Sequence, residues 1–265
     1  MKKNRLISII EAFVAGDRGN NLPGKNIHVF EKPIVAFASA DDPLFVELKE
    51  PDVVGPTHTL PTDWVSDANT IISYFLPINH QLVETNYSGT SSSEDWVYVR
   101  FYGEDFNNRL RQVIVSALQA EGYSAVAPLI SSGYSVKNFR SNWSERHVAF
   151  IAGIGSFGLN RGIITEKGLA GRLGSVITNL VLEPTVRTYK EINERCPWYD
   201  QNKCGECIKR CPSGALTPEG KDIAKCDNFL KNIEGEKIRA IYGFPFSPCG
   251  KCFVNVPCES QIPER

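Results

Sequence analysis

The segment Cys204-Gly205-Glu206-Cys207-Ile208-Lys209-Arg210-Cys211-Pro212 carries three cysteines in the order Cys-x2-Cys-x3-Cys-Pro. In iron-sulfur proteins the Cys-x2-Cys pair reaches adjacent irons of one cubane, and the Cys-Pro of two-cluster ferredoxins ligates the other cluster. The chain has eight cysteines; none lies in residues 1–195, and all fall between Cys196 and Cys258. This distribution predicts a cysteine-free body, residues 1–190, followed by a ferredoxin-like module with two [4Fe-4S] clusters, residues 191–265.

The eight thiols divide into two sets of four, which is the number of ligands that a [4Fe-4S] cluster needs. Because a Cys-Pro points its sulfur away from the preceding pair, we expect two crossed sets: Cys196, Cys204, Cys207 and Cys258, and Cys211, Cys226, Cys249 and Cys252. Spacing alone leaves open a linear split into the first four and the last four. Zinc at the two Cys-x2-Cys pairs is a further alternative, although it leaves four cysteines unused. Disulfides are not expected in a long chain with a cysteine-free body.

Length, charge and hydropathy limit the class of protein. With 265 residues the chain can bury a full core. Its 29 basic and 30 acidic side chains create no overall positive field, so no nucleic acid partner is expected. The start of the chain resembles a secretory signal, but Glu11 interrupts the apolar run and no long apolar stretch follows. We therefore expect a cytoplasmic protein with no membrane partner.

Hydrophobic periodicity predicts an α/β (α+β) body with a mixed sheet, because helical and strand patterns alternate without a regular βαβ rhythm. Apolar β-branched and aromatic runs indicate strands at residues 34–38 and 70–76. A helical pattern begins at Phe106 and stops at Gly122. The preceding residues 97–99 are ambiguous, since they alternate like a strand.

Three further local patterns complete the body. Apolar spacing predicts an amphipathic helix at residues 5–15. Asn142 is expected to cap a helix over residues 143–152, with Glu145 as its capping-box partner. A hairpin is expected from the strand patterns at residues 162–165 and 172–182.

The cysteine motif is preceded by two other recognisable segments, Glu145-Arg146-His147 and Ala152-Gly153-Ile154-Gly155-Ser156-Phe157-Gly158-Leu159-Asn160. With these segments the chain resembles the cobalamin-dependent epoxyqueuosine reductases and, more distantly, the reductive dehalogenases, from about Leu60 to Cys258. The resemblance implies a nitroreductase-like body that holds a corrinoid, with its lower base detached, beside a two-cluster module. It also implies that electrons pass from an outer cluster to an inner cluster and then to cobalt.

The chain departs from the family pattern at several positions. Gln201 occupies the place of the usual first cysteine, and we expect Cys196 to replace it. Phe139 stands where the epoxyqueuosine enzymes carry a catalytic aspartate. Since the chain ends at Arg265, the C-terminal tRNA-binding repeats are expected to be absent. The sequence is therefore more similar to a shorter iron-sulfur binding subgroup with the motif Trp143-Ser144-Glu145-Arg146-His147.

A glycine-rich turn and one strand are the expected corrinoid contacts. The turn also fits the dinucleotide fingerprint, but it follows a helix and precedes a strand, the reverse of the context that NAD binding requires. The resemblance instead puts a corrinoid beside Gly153, Gly155, Ser156, Phe157, Gly158, Asn160, Ser175 and Thr178. A tight helix-to-strand connection explains the glycines equally well. If the corrinoid lies there, a bulky residue at Gly155 abolishes its binding without changing the iron content.

Tyr134 and His147 are the candidate catalytic residues. Histidine titrates near neutrality, so His147 can donate a proton or a hydrogen bond to a ligand in a cleft. An amphipathic helix accommodates it equally well as a core residue. Glu145 and Arg146 have similarly ordinary interpretations, as a capping carboxylate and its ion-pair partner.

These features predict an iron-sulfur reductase that passes single electrons to a bound cobalamin. A low-potential donor such as ferredoxin or flavodoxin is the expected partner on one side, and a small molecule or a corrinoid protein is the expected acceptor on the other. Two alternatives stay open. One is a two-cluster electron carrier, or an activating reductase for a corrinoid protein, without a substrate of its own. The other is a flavin-binding reductase with a ferredoxin tail.

Iron content tests the assignment of the cysteines. Anaerobically reconstituted protein is expected to hold about eight irons and eight acid-labile sulfides per chain, because two cubanes contain that number. Metal analysis, sulfide analysis and the visible charge-transfer absorption measure this directly. Stoichiometric zinc in a colourless protein would contradict the prediction.

Overall fold

The structure is a computed structural model that describes residues 1–200 and 202–264. Gln201 and Arg265, on which two of the sequence expectations rest, lie outside the described residues. The helices are α1 (Lys3–Gly16), α2 (Leu44–Glu47), α3 (His80–Glu84), α4 (Glu94–Ala120), α5 (Glu145–Ile151), α6 (Glu206–Lys209), α7 (Ile223–Asn228) and α8 (Glu234–Tyr242). The strands are β1 (Ile34–Ser39), β2 (Thr70–Pro77), β3 (Ala125–Val126), β4 (Val136–Lys137), β5 (Arg140–Ser141), β6 (Gly155–Phe157), β7 (Ile163–Thr165), β8 (Gly171–Thr178), β9 (Leu216–Thr217) and β10 (Gly220–Lys221).

A four-stranded sheet in the order β1-β2-β8-β3 forms the centre of the body. Strand β2 is buried along its whole length, with Ile72 and Tyr74 on one face and Ile71 and Phe75 on the other. This alternation follows from the two-residue period of a strand. The predicted strands at β1 and β2 and the predicted α+β class are confirmed. The pairings are all antiparallel among the described residues, so the sheet is not mixed in direction.

Helices α1 and α4 cover one face of the sheet through buried residues such as Leu6, Ile10, Phe106 and Leu110. Helix α4 begins twelve residues before the predicted start, because the Ser93 hydroxyl accepts a hydrogen bond from Trp96 N–H and caps the first turn. The strand interpretation of residues 97–99 is therefore wrong. Among the described residues, no helix combines the length and the apolar character that crossing a membrane requires.

Helix α5 packs on the other face, where Trp143 is fully buried beside Val148 and Ala149. Asn142 does not cap this helix, contrary to the sequence expectation. Its side chain accepts a hydrogen bond from Ser135 N–H and donates one to the Gly133 carbonyl, each at 2.9 Å, and so closes the loop before the helix. The helix consequently begins at Glu145, without a side-chain cap.

The predicted hairpin between residues 162–165 and 172–182 is also wrong. Strand β7 pairs with β6, and β8 crosses back to pair with β2 and β3. The turn between β7 and β8 closes on itself through a bridge from Thr165 to Gly168. Because β8 lies between β2 and β3, it is a central strand of the large sheet and contributes five consecutive buried residues.

The cysteine-containing segment, residues 196–258, folds back onto the body. Leu169 N–H donates to the Cys258 carbonyl at 3.0 Å, and the Asn86 side chain donates to the Cys249 carbonyl at 2.8 Å. Lys251 is buried, and its ammonium donates to the Asn86 carbonyl at 2.9 Å. These contacts hold the segment against the loop after α3 and the turn before β8. The division into domains at residues 190 and 191 stays a prediction.

Gly155 is expected to be required for folding rather than for ligand binding alone. A Cβ at this position would lie 2.2 Å from the Ile164 carbonyl oxygen, inside the β6–β7 pair. Gly155→Ala is expected to cost about 1–3 kcal/mol of stability through overpacking. Gly16→Ala is the control, because a Cβ there meets nothing within 4 Å. Thermal unfolding measures both; equal midpoints would contradict the prediction.

Candidate functional site

Four cysteines line one cavity at the junction between the cysteine-containing segment and the body. This cavity, here called the proximal cysteine cavity, has a volume of about 170 Å³ and is lined by Cys211, Cys226, Cys249 and Cys252. Trp96 from helix α4 and Phe229 and Leu230, from a π-helical turn between α7 and α8, supply apolar walls. The four thiols come from three separate stretches of sequence, which the turns around Pro212 and Gly250 bring together.

The other four cysteines line a second, smaller cavity. This distal cysteine cavity, of about 20 Å³, is bounded by Cys196, Cys204, Cys207 and Cys258. Leu159, Pro197, Trp198 and Val256 make its walls almost wholly apolar. The two cavities thus divide the cysteines into the same sets as the crossed ligand assignment, which remains a prediction until the ligands are measured.

Burial keeps several of these thiols neutral. It raises the pKa of Cys207 to about 12, with nearby Cys252 adding to the effect, and raises the pKa of Cys249 to about 12. Cys258 and Cys252 are shifted in the same direction, first by burial. A group of thiols in such surroundings becomes a group of thiolates when bound metal shares the negative charge.

Cys211 differs from its neighbours. Burial alone would raise its pKa, but a hydrogen bond from the Ser213 hydroxyl at 3.3 Å and backbone N–H groups of Leu216 and Ala215 outweigh burial and lower the pKa. The turn that follows Cys211 therefore surrounds the sulfur with donors. Hydrogen bonds to sulfur are one of the means by which proteins set the potential of an iron-sulfur cluster.

The donor sets fit iron-sulfur clusters in number and chemistry, since each cavity presents four thiols and a [4Fe-4S] cluster takes four. In the described part of the chain, no three His, Cys, Asp or Glu side chains are grouped in a way that could hold a single metal ion. The proximal cavity has the larger volume. A cluster in the distal cavity requires the four side chains to move apart.

A third cavity adjoins the proximal cysteine cavity. This charged cavity, of about 310 Å³, lies among β2, β8, helices α4 and α5, and the cysteine-containing segment. Its ionic side chains are Glu104, Arg111, Glu145, Arg146 and Arg172. It shares three wall residues with the proximal cysteine cavity, namely Gly171, Arg172 and Phe253.

Arg111 is the centre of the charged cavity and is fully buried. Its guanidinium donates to Glu104 at 3.0 Å, to the Asn108 side chain at 2.6 Å and to the Leu173 carbonyl at 3.0 Å. Four buried polar atoms around it have no hydrogen-bond partner: Arg111 Nε, Arg172 Nε and both carboxyl oxygens of Glu145. Such atoms are costly to bury, so they indicate a site that a polar ligand completes.

None of the eight residues predicted to contact a corrinoid lines the charged cavity. Their groups have partners within the protein: Ser156 accepts from Arg195 N–H, Ser175 from the Trp143 indole, and Thr178 donates to the Ser124 carbonyl. Gly153 ends helix α5 with a positive φ, while Gly155 and Phe157 belong to the β6–β7 pair, as does Ser156. Their role in corrinoid binding stays a prediction.

Gly158 and Asn160 line the distal cysteine cavity instead. Asn160 is buried, donates to the Cys252 carbonyl at 2.7 Å and accepts from Gly162 N–H at 2.9 Å. The glycine-rich turn therefore connects the body with a stretch that carries cysteines of both cavities. This is a positional role that the sequence pattern did not indicate.

The two candidate catalytic residues lie outside the walls of the charged cavity. Burial, followed by the nearby charge of Arg146, lowers the pKa of His147 to about 3, and its Nδ1 lies 2.8 Å from the Ser144 hydroxyl. His147 is therefore a neutral, internally paired residue at physiological pH. Tyr134 is half-buried, and burial raises its pKa. Phe139 lies at the exposed tip of the β4–β5 hairpin.

Sequence analysis missed Glu104, Arg111 and Arg172. Glu104 and Arg111 are seven residues apart, so they share one face of α4 after two helical turns. A charged pair with this spacing inside an apolar helical pattern is a usable signal. No comparable signal marks Arg172, which lies on a strand and reaches the site only through the pairing of β8 with β2.

Comparison with known proteins gives related sequences. No known family profile matches the chain. The epoxyqueuosine reductase of Bacillus anthracis is 28% identical over 218 residues, which cover 79% of this chain and 52% of that protein. The epoxyqueuosine reductase of Bacillus cereus is 37% identical over 119 residues, or 43% of this chain and 29% of that protein. The chain thus spans at most about half the length of these relatives.

Solved structures share the fold. An epoxyqueuosine reductase in complex with an epoxyqueuosine-modified tRNA stem loop matches with a TM-score of 0.58 at 18% identity, covering 99% of this chain and 66% of that one. A catabolic reductive dehalogenase with 3-bromo-4-hydroxybenzoic acid matches with a TM-score of 0.57 at 12% identity, covering 98% and 37%. The resemblance stated from the sequence is confirmed.

Paired cysteine substitutions test the division into two sets. Cys196→Ser and Cys258→Ser are expected to change one low-temperature EPR signal of the reduced protein, while Cys211→Ser and Cys226→Ser change the other. The reason is that each pair lines one cavity. If Cys196→Ser and Cys211→Ser alter a common signal and spare the second, the linear split is correct.

Proposed function

Because the chain is related to the superfamily of epoxyqueuosine reductases and reductive dehalogenases, we propose that it is a reductase with two [4Fe-4S] clusters. The eight cysteines hold the clusters, one in each cysteine cavity. Single electrons pass from a low-potential donor through the distal and then the proximal cluster to an acceptor in the charged cavity. The acceptor is a corrinoid, and the reductive step takes place beside it.

The observation that carries this proposal is the wall common to the proximal cysteine cavity and the charged cavity. Gly171, Arg172 and Phe253 line both. A one-electron donor is useful only if its acceptor lies close by, and these two spaces are separated by single residues. The order of the cavities therefore supports the proximal cluster as the inner one.

The polar lining of the charged cavity suits a corrinoid, whose ring carries amide side chains. Arg111 Nε and Arg172 Nε are donors without hydrogen-bond partners among the described residues. The volume of about 310 Å³ is at the lower end of the range for ligand pockets. When bound, the clusters supply low-potential electrons and the corrinoid supplies the reactive metal.

The side chains of the protein have three tasks in this arrangement. The eight thiolates fix the clusters, and apolar walls such as Trp96 and Trp198 keep water away from them. Arg111, held by Glu104 and the Leu173 carbonyl, orients the polar edge of the acceptor. Phe253, which lines both cavities, would lie between a cluster in the proximal cysteine cavity and an acceptor in the charged cavity.

The partners follow from the same proposal. The electron donor is a low-potential protein of the ferredoxin or flavodoxin type, and the chain acts in the cytoplasm. The substrate is a small molecule or a corrinoid protein. Since one of the solved relatives is in complex with a tRNA stem loop, an epoxyqueuosine-modified stem loop belongs among the compounds assayed, together with 3-bromo-4-hydroxybenzoic acid.

Anaerobic titration with cobalamin tests the proposal. Cluster-loaded protein is expected to change the visible spectrum of cobalamin toward its base-off form at a ratio near one to one. Leu129→Trp, which fills the charged cavity, is expected to weaken binding at least about tenfold by occupying ligand volume. Ile130→Trp is the control, because Ile130 follows in the same turn, is exposed and does not line the cavity.

Three other results of the titration would change the proposal. A spectral change with a flavin but not with cobalamin would replace the corrinoid by a flavin. No binding of either cofactor, with full iron content, would make the chain an electron carrier. Equal binding by the Leu129→Trp and Ile130→Trp proteins would move the acceptor out of the charged cavity.

A further inference from the structure

Two glutamates share the charged cavity and differ in their surroundings. Glu104 forms ion pairs with three arginines: Arg111 at 3.0 Å, Arg100 at 3.6 Å and Arg172 at 4.0 Å. Burial alone would raise the pKa of Glu104, but these arginines outweigh it and lower the pKa. Glu104 is therefore a fixed anion that balances the arginines.

Glu145 has no such support. Among residues 1–200 and 202–264, neither carboxyl oxygen has a hydrogen-bond partner, and Arg111 is the one cation within ion-pair distance, with its Nη2 3.7 Å away. The side chain is only 11% exposed. Burial raises the pKa of Glu145, although Arg111 and Ser175 act in the opposite direction. Two carboxyl groups whose environments push their pKa values apart are the usual arrangement for an acid and a stabilising anion.

We infer that Glu145 is the acid that donates a proton to the substrate reduced in the charged cavity, an inference that rests on the proposed function. Reduction of a carbon–heteroatom bond takes two electrons and one proton, R–X + 2e⁻ + H⁺ → R–H + X⁻. The low-potential donor supplies both electrons singly through the clusters. The C–X bond breaks, X leaves as an anion, and the C–H bond forms with the proton from Glu145. The resulting carboxylate regains its proton from solvent.

Phe139, His147 and Tyr134 are less suited than Glu145 to donate a proton in the charged cavity. Phe139 cannot donate a proton, and it lies at an exposed hairpin tip. His147 is neutral, and neither it nor Tyr134 lines the charged cavity. Glu145 is on the wall of the cavity itself. Of the two carboxyl groups that line the cavity, Glu145 is the one whose pKa is raised, whereas that of Glu104 is lowered.

Charged and titratable groups from the elements around Glu145 either interact with its carboxyl group or line the same cavity. Helix α4 supplies Glu104 and Arg111, whose effects are opposite in sign. The remaining groups come from β2, the loop before β4, helix α5 and β8, and they are Tyr74, Tyr134, Arg146 and Arg172. Arg111 is held in place by three hydrogen-bond acceptors, so its charge acts on Glu145 from a fixed position with Nη2 3.7 Å from the carboxyl group.

Infrared spectroscopy of the cluster-loaded protein tests the protonation directly. A carboxylic acid C=O band that shifts in D2O is expected at neutral pH, and Glu145→Gln is expected to remove it. Glu121→Gln is the control: this glutamate pairs with the Met1 amine at 3.0 Å and Arg5 at 2.8 Å, outside the cavity. Absence of the band, or its persistence in the Glu145→Gln protein, would overturn the inference.

Turnover tests the donor role separately. With a substrate found in the assays above, Glu145→Gln is expected to lower the rate about 100-fold or more, the usual contribution of a general acid, with unchanged iron content. Glu145→Asp is expected to recover part of the rate with a shifted pH profile. Full activity in Glu145→Gln would refute the role. If the wild-type protein reduces nothing, the proposed function fails, while the infrared band still decides whether Glu145 is an acid.

Discussion

The fold depends on a main-chain contact between the turn before β8 and the end of the cysteine-containing segment. Ala170 N–H donates to the Glu259 carbonyl at 3.0 Å. Gly168 has a positive φ, and a Cβ there would lie 2.1 Å from the same carbonyl oxygen, so only glycine permits this approach. The contact fixes the last cysteine beside the central sheet. That cysteine, Cys258, lines the distal cysteine cavity, and the proximal cysteine cavity on the same segment shares three wall residues with the charged cavity.

The two kinds of cavity provide different physical environments. Burial raises the pKa of four thiols, those of Cys207, Cys249, Cys252 and Cys258, so these thiols lose their protons most readily when a bound metal shares the negative charge. The adjoining charged cavity combines three arginines and two glutamates on its walls with polar atoms that lack hydrogen-bond partners among the described residues. A polar acceptor bound in this cavity would take the place of water as the hydrogen-bond partner of these atoms. Under the proposed function, the apolar cavities hold the clusters and the adjoining polar cavity holds the acceptor.

The features that could be predicted from the sequence are those that depend on local residue patterns. The strands predicted at residues 34–38 and 70–76 follow from continuous apolar runs of β-branched and aromatic residues, and the family resemblance follows from cysteine spacing and the glycine-rich turn. Errors arose where tertiary contacts decide. Asn142 is of a residue type that often caps helices, yet its side chain closes the loop before α5. Strand β8 has the appearance of a hairpin arm, yet it inserts between two distant strands.

The charged cavity could not be predicted for a related reason. Glu104, Glu145 and Arg172 come from α4, α5 and β8, and they meet only because α4 crosses the sheet beside β8. Glu145 was singled out in the sequence, but its position three residues after Asn142 suggested a capping role. The absence of a cap and the missing hydrogen bonds of its carboxyl group are properties of the folded chain. Reading such a residue correctly requires its three-dimensional surroundings.

The central claim is that the cluster held by Cys211, Cys226, Cys249 and Cys252 delivers electrons to an acceptor in the charged cavity. Low-temperature EPR of partially reduced protein loaded with clusters and cob(II)alamin tests it most directly. The account predicts a cobalt signal split or broadened by a nearby reduced cluster, and loss of this coupling in Cys226→Ser but not in Cys204→Ser. An uncoupled cobalt signal, or coupling that disappears only in Cys204→Ser, would contradict the account.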